Sequence, residues 1–312
     1  MSIRFKNTQA PVIISASRST DIPAFYARWF INRLKADYTI WINPFNQQPM
    51  YVSFKNTKVV VFWSKNPKPL IPYLKELDDK GIHYYFQFTL NDYEPEGFEP
   101  NVPPVEERIR TFRQLSERIG KEKVIWRFDP LILTNKSSVN ELLQKVENTG
   151  NQLKDYTQKL VFSFADIGIY KKVQANLKRQ AILYREFDKQ TMTDFALKLH
   201  QLNKNWHLKL ATCAESMDLE SYGIEHNRCI DGELMKKIFS DDTELMYYLS
   251  SGKLPDKNAL FSEISSKPVD LKDKGQRKAC GCMISKDIGR YNTCSHFCVY
   301  CYANTSKETV II

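Results

Sequence analysis

Cys294, Cys298 and Cys301 stand in the stretch NTCSHFCVYCYANTS with the spacing C-x3-C-x2-C, and Tyr300 precedes the last of them. Thiolates are soft ligands that select zinc, copper and iron–sulfur clusters. A structural zinc site is normally closed by four protein ligands, whereas a cubane cluster on three thiolates keeps one iron free of protein. An open iron is a place where chemistry can happen, so the spacing points to a [4Fe–4S] cluster. Two alternatives stay open: a zinc site in which His296 or another cysteine is the fourth ligand, and a cluster with only structural or electron-transfer work.

Four further cysteines remain. Cys280 and Cys282 form C-x-C, while Cys213 and Cys229 lie at and beyond the end of an apolar run. Four thiolates suffice for a second, fully ligated cluster or a zinc site; the alternative is that Cys213 and Cys229 are buried as small apolar residues. Seven cysteines is an odd count, and the N-terminal MSIRFKNTQAPVIISAS does not read as a secretory signal. A disulfide framework is therefore not expected, and a cytoplasmic location is.

These residues need a scaffold. With 312 residues, 42% of them hydrophobic, the chain can bury a substantial core. Short β-branched and aromatic runs (PVIISAS, YTIWIN, KVVVFWS, IHYYFQFTL, KVIWRFDP, KLVFSFADI, HLKLATCAE) alternate with amphipathic stretches such as AFYARWFINRLKA, VEERIRTFRQLSERIG and TMTDFALKLHQLNK. Such alternation predicts a parallel sheet covered on both faces. The expectation is an α/β fold, a TIM-like parallel β/α barrel, complete or partial, over residues 1–250. Residues 251–312 then form an irregular connection and a cysteine-rich cluster-binding tail packed over the barrel mouth.

Nearly every apolar run ends in polar residues: Ser17, Arg18, Thr20 and Asp21; Asn43; Ser64, Lys65 and Asn66; Thr89 and Asn91; Arg127 and Asp129; Ser163 and Asp166; Thr212, Cys213 and Glu215. In a parallel barrel these ends share the face that carries active sites. No stretch is long and apolar enough to span a bilayer, so no membrane partner is expected. The formal net charge is +9, which is compatible with an anionic partner such as nucleic acid, but the basic residues are scattered among acids as on an ordinary solvated surface.

The segments SASRSTDIPAFY, NPFNQQ, FWSKNPKPL, QFTLNDYE, WRFDP, SFADI, TCAES and CGCMISKDIGRYNTCSHFCVYCYAN together resemble a bacterial family known only as a domain of unknown function, numbered 1848. The tail motif with its penultimate aromatic also resembles the signature of radical S-adenosylmethionine enzymes, and with WRFDP, distantly, the spore photoproduct lyases that repair DNA. That resemblance implies S-adenosylmethionine chelated by the open iron and cleaved to a 5′-deoxyadenosyl radical. Two departures stand out: the motif follows all the strands instead of the first, and no Gly-Gly-Glu run is present to hold the methionine amino group. Asn66, Thr89, Asn91 or Glu215 would stand in for it.

On this reading Arg127 or Arg18 meets the cofactor carboxylate. Asp129, Asp166 and Asp21 take ribose hydroxyls or hold those arginines, Lys65 handles a substrate anion or a proton, and Tyr300 and Tyr302 shield the cluster or stack on adenine. Asp287 and Arg290 orient the cluster loop, with Gly289 allowing a sharp turn. For Arg127 and Asp129 a structural ion pair is the alternative, and for His296 either a hydrogen bond to the cluster or exposure to solvent. Three functions follow: a radical enzyme with an unknown substrate and a reductant such as flavodoxin or ferredoxin; a nucleic-acid-binding or repair protein with structural clusters; and a zinc-stabilised barrel hydrolase.

Overall fold

The computed structural model describes residues 8–256 and 269–310. The middle of the connection after residue 251 therefore lies outside the described residues. Eight strands form one sheet: β1 (Ile13–Ala16), β2 (Val59–Ser64), β3 (His83–Thr89), β4 (Val124–Leu131), β5 (Lys159–Phe164), β6 (Lys209–Thr212), β7 (Ile224–His226) and β8 (Lys286–Asp287). Their order is β7-β6-β5-β4-β3-β2-β1-β8, and every neighbouring pair is parallel. From β1 to β7 consecutive strands are thus neighbours, as βα crossovers allow, while β8 adds beside β1.

Among the described residues no ladder joins β7 to β8. The gap is crossed by one backbone hydrogen bond, Met283 N–H to the Ile230 carbonyl at 3.0 Å. What the ladders establish is a large α/β fold on a parallel sheet.

The helices are α1 (Ile22–Phe25), α2 (Ala27–Lys35), α3 (Leu74–Asp78), α4 (Val105–Ile119), α5 (Val139–Leu153), α6 (Lys171–Arg179), α7 (Lys189–Asn203), α8 (Gly232–Ile238) and α9 (Thr243–Ser251). Strand residues alternate between two apolar layers, as the period of two dictates. Ile14, Val60, Phe62, Phe86, Trp126 and Phe162 pack with Phe30, Phe112, Leu142 and Phe195 of α2, α4, α5 and α7. On the other face Ile13, Val61, Tyr85, Ile125 and Val161 meet Met235 of α8, Leu245 of α9 and three cysteines, Cys229, Cys280 and Cys282. Cys280 and Cys282 of the C-terminal segment are therefore part of this second layer. No described helix is long and apolar enough to cross a membrane.

One expected strand is displaced. Tyr38–Ile42, the YTIWIN run, pairs antiparallel with Pro49–Ser53, which pairs in parallel with Thr8–Gln9 in a separate three-stranded sheet. A tight connection, Asn43 N–H to the Gln48 carbonyl at 3.0 Å, closes this hairpin. Asn43 consequently sits at a hairpin turn, away from the strand ends of the main sheet. The strand also leaves Ile40 exposed, which a strand covered on both faces would not.

Candidate functional site

Parallel strands bring their C-terminal ends to one edge, and a cavity of about 600 Å³ opens there. Ser17 and Arg18 follow β1, Lys65 follows β2, Thr89 ends β3, Arg127 and Asp129 belong to β4, and Cys213 and Glu215 follow β6; all line this cavity. So do all seven cysteines: Cys213, Cys229, Cys280, Cys282, Cys294, Cys298 and Cys301.

The tail is stitched across these ends by specific bonds. Ile288 N–H donates to the Ser15 carbonyl at 3.1 Å. Asp287 accepts from the Ser15 hydroxyl at 2.6 Å and from the Arg18 amide at 2.9 Å. Val299 N–H reaches the Phe98 carbonyl at 2.9 Å, Asn101 Nδ2 donates to the Ser295 carbonyl at 2.9 Å, and Asn176 Nδ2 on α6 donates to the Val299 carbonyl at 3.1 Å. Tyr26 and Tyr302 hydroxyls complete the seam at the Thr293 and Arg18 carbonyls, both at 2.7 Å. Gly289 serves close approach here and not a turn: a Cβ at that position would lie 1.8 Å from Ser17 Oγ.

His296 is buried. Its Nε2 lies 2.8 Å from Asp21 Oδ2 and its Nδ1 3.3 Å from the Asn101 carbonyl. Phe25 packs edge-on at 4.6 Å. With both nitrogens engaged, His296 neither faces solvent nor has an atom left to complete a zinc site with the tail cysteines. Asp21 caps α1 through the Ala24 amide at 3.0 Å and takes the Ser64 hydroxyl and the Lys65 amide, both at 2.7 Å. A carboxylate so fully bonded is a joint between α1, β2 and the tail; it has no lone pair to offer a ribose.

Lys65 is likewise committed. Its Nζ lies 2.8 Å from Glu99 Oε1 and 2.8 Å from the Tyr300 hydroxyl, and Arg108 Nη1 stands 3.5 Å from Glu99 Oε2. Tyr300 donates to Glu99 in a very short bond. Burial alone would raise the Glu99 carboxyl, but Lys65 and Arg108 outweigh it and hold it at about 2. Burial works against the charge of Lys65, yet Glu99 and then Cys298 leave its ammonium raised. Asn91 belongs to the same network, with Nδ2 at 3.1 Å from Glu99 and 3.0 Å from Tyr300. Lys65 and Asn91, expected to meet ligands, are engaged with Glu99 and the Tyr300 hydroxyl in an ionic network close to Cys298, and Lys65 and Tyr300 also line the cavity. Asn91 and Asn66 do not line the cavity at all.

Arg127 is 4% exposed. It pairs with Asp129 through Nη2 and donates from Nη1 to Gln87 Oε1 at 3.1 Å and to Cys229 Sγ at 3.1 Å. Asp129 also takes the Ser163 hydroxyl. The ion-pair alternative describes these two residues, with a thiol as third partner. Asp166 lines the cavity and faces Arg277 at 3.6 Å. Glu215 Oε1 accepts from the Ser216 and Met217 amides at 2.8 and 3.3 Å. Arg18 stacks over Trp63 at 5.0 Å, and its Nη2 is buried without a hydrogen-bond partner.

The tail thiols make no sulfur–sulfur hydrogen bond among the described residues. Burial, then the Asp21 carboxylate, pushes the Cys294 thiol up to about 12, and burial raises Cys298 well above its ordinary range. Cys213 and Cys229 touch, Sγ to Sγ at 3.6 Å. Hydrogen bonds from Cys213 and Cys282, with Arg127 and Arg18 nearby, hold Cys229 well below the usual thiol range. Among the described residues no three His, Cys, Asp or Glu side chains are arranged to hold a metal ion as they stand. Sequence reasoning missed Glu99 and Arg108: in DYEPEGFEP and VEERIR each is one charge among several, and only burial distinguishes them.

Comparison with solved structures finds a Bacteroides thetaiotaomicron protein described as a "putative alpha-L-fucosidase", at 10% identity and a TM-score of 0.30, covering 77% of this chain and 98% of that one. A likeness that weak carries no argument about this protein. No curated protein matches the sequence. A family model does match it, from residue 13 to residue 303, a span that takes in the eight strands of the main sheet, the cavity wall and all seven cysteines. This chain belongs to the family described as "Domain of unknown function (DUF1848)".

Proposed function

We propose that the protein is a [4Fe–4S] enzyme of radical S-adenosylmethionine type, built on a parallel β/α barrel whose mouth is covered by the cysteine tail. One observation carries the reading: Cys294, Cys298 and Cys301 line the same cavity as the strand-end residues Arg18, Thr89 and Glu215. The fit of a three-thiolate cluster is supported by thiols that face one cavity without touching one another. A single ion would need them to converge, whereas a cubane is gripped at separate corners. When bound, such a cluster supplies an electron and an open iron to S-adenosylmethionine.

The chain's own residues have distinct work. Arg18, with Nη2 buried and unpartnered at the cavity wall, is the donor for the cofactor carboxylate. Glu215, fixed by the amides of Ser216 and Met217, takes the amino group in place of a Gly-Gly-Glu run. The Lys65–Glu99–Tyr300 network excludes water beneath Cys298 and lays a positive charge beside it. Phe164, Ile167 and Val173 give the cavity an apolar wall suited to an adenosyl group or substrate.

Anaerobic reconstitution with iron and sulfide, followed by dithionite and S-adenosylmethionine, tests this directly. The expected product is 5′-deoxyadenosine. A fully loaded cluster that never yields it overturns the reading.

A second reading, nucleic-acid binding, has one observation in its favour. Cations and aromatic rings alternate around the tail: Lys172 over Tyr291 at 5.9 Å, Arg277 over Tyr170 at 5.5 Å and Lys307 over Phe297 at 5.6 Å. Bases stack on such rings and phosphates meet such cations. Salt-sensitive binding of single-stranded DNA or RNA supports it; no binding at low salt removes it.

A further inference from the structure

The cavity wall carries a second group of thiols that the three-thiolate reading does not use. Cys213 follows β6, Cys229 follows β7, and Cys280 and Cys282 flank Gly281 in the segment leading to β8. Sequence separation between the pairs exceeds fifty residues, so the fold has gathered them. Cys213 Sγ and Cys229 Sγ are 3.6 Å apart, and the Cys229 amide donates to Cys282 Sγ at 3.2 Å.

Apolar filling does not account for this group. Cys229 Sγ accepts hydrogen bonds from Arg127 Nη1 at 3.1 Å and from Asn227 Nδ2 at 3.2 Å. A neutral thiol is a weak acceptor; two donors, one of them a guanidinium, match an electron-rich sulfur. The backbone at Cys229 is equally fixed, its carbonyl taking the Tyr85 hydroxyl at 2.7 Å and Gln87 Nε2 at 2.9 Å. Gly281 lets the C-x-C turn settle on Arg228, where a Cβ would meet the side chain at 3.0 Å. Donors that orient ligands and hydrogen-bond their sulfurs are the surroundings that metal thiolates need.

We propose that Cys213, Cys229, Cys280 and Cys282 form a second metal centre, a closed four-thiolate site for a thiophilic metal, separate from the open three-thiolate tail site. The 3.6 Å contact between Cys213 and Cys229 is near the ~3.8 Å sulfur–sulfur edge that Zn–S bonds of about 2.3 Å impose on a tetrahedron. As they stand no three donors converge on one point, so capture of metal draws the ends of the chain of sulfurs inward. Because Cys280 and Cys282 precede β8 while Cys213 and Cys229 follow β6 and β7, the centre ties the two edges of the sheet together. It stands independently of the radical-enzyme reading.

The test uses the full chain, purified anaerobically, as wild type and as Cys213→Ser, Cys282→Ser and Cys298→Ser, with iron, zinc and sulfide measured per chain. Cys213→Ser and Cys282→Ser should each lose the metal of one centre that Cys298→Ser retains. One zinc per chain without sulfide identifies a single ion, and iron with matching sulfide a cluster; either supports the four-thiolate site. Metal-free Cys298→Ser titrated with Co²⁺ should show the charge-transfer bands of tetrahedral thiolate ligation. Since a serine variant can misfold, the wild type is also alkylated with and without metal: Cys213, Cys280 and Cys282 should be protected together. Unchanged metal content in well-folded Cys213→Ser and Cys282→Ser, or alkylation of these cysteines indifferent to metal, overturns the proposal, and neither outcome bears on 5′-deoxyadenosine formation.

Discussion

His296 and Asp21, 2.8 Å apart and both buried, join the cysteine tail to the first helix of the sheet layer. Asp21 is the N-cap of α1 and also binds Ser64 and the Lys65 amide. Asp21→Ala therefore removes a cap and strands several donors, at a cost of about 2–4 kcal/mol. Asp21→Asn keeps much of the cap but loses the anionic partner of His296. Expected are a lower denaturation midpoint for both variants and, on the cluster reading proposed above, faster loss of iron to a chelator for Asp21→Asn. Iron retention equal to wild type would separate the tail from this joint.

Glu99 links acidity to stability. Its carboxyl is held at about 2, below its ordinary 4.5. A depressed folded value contributes stability that is present above the ordinary value and lost as pH falls through the folded one. The loss thus belongs between about pH 4.5 and about pH 2. Glu99→Gln should flatten that part of the curve measured by urea unfolding. At neutral pH it should also destabilise by roughly 3–5 kcal/mol, since Lys65 and Arg108 are left buried without their anion. An unchanged acid limb would show that another carboxylate governs it.

Much of this arrangement was legible before the structure, for a physical reason. VVVFWS and HYYFQFT are largely apolar on consecutive residues because both faces of their strands are covered, and the structure buries most of them, leaving Trp63, His83 and Thr89 half-buried. YTIWI has the same composition, yet its burial is broken by an exposed Ile40; composition does not tell a two-faced strand from a half-exposed hairpin. Ile224–His226 and Lys286–Asp287 are three and two residues long and partly charged, too short for periodicity to register. The spacing of the cysteines drew attention to them as a group, and the structure brings all seven to the wall of one cavity. Glu99 and Arg108 were not, because a buried charge and a solvated one are spelled with the same letters.

Gly289 tests how closely the tail must lie on β1. A Cβ there meets Ser17 Oγ at 1.8 Å and Ser17 Cβ at 2.6 Å, so Gly289→Ala forces strand end and tail apart. Overpacking of this kind costs roughly 1–3 kcal/mol, and here it also shifts the Asp287 contacts to Ser15 and Arg18. The double variant Ser17→Gly/Gly289→Ala should recover part of the melting temperature by removing two of the obstructing atoms, while Ser19 Oγ at 2.6 Å remains. No difference between single and double variants would place the strain elsewhere.

On the radical-enzyme reading proposed above, Arg18 should separate cofactor recognition from cluster assembly. Its Nη2 is buried without a hydrogen-bond partner while its guanidinium rests on Trp63 at 5.0 Å. Arg18→Gln keeps a planar polar group but removes the charge, so cluster loading should be near normal while affinity for S-adenosylmethionine falls. A charge-assisted hydrogen bond of about 1.5–3 kcal/mol corresponds to a loss of roughly 10- to 150-fold. The change in the electron paramagnetic resonance spectrum of the reduced cluster on adding S-adenosylmethionine gives that affinity without requiring turnover. An equal titration midpoint in wild type and Arg18→Gln would assign the carboxylate to another residue, and loss of iron from the variant would make Arg18 a support of the thiolates instead.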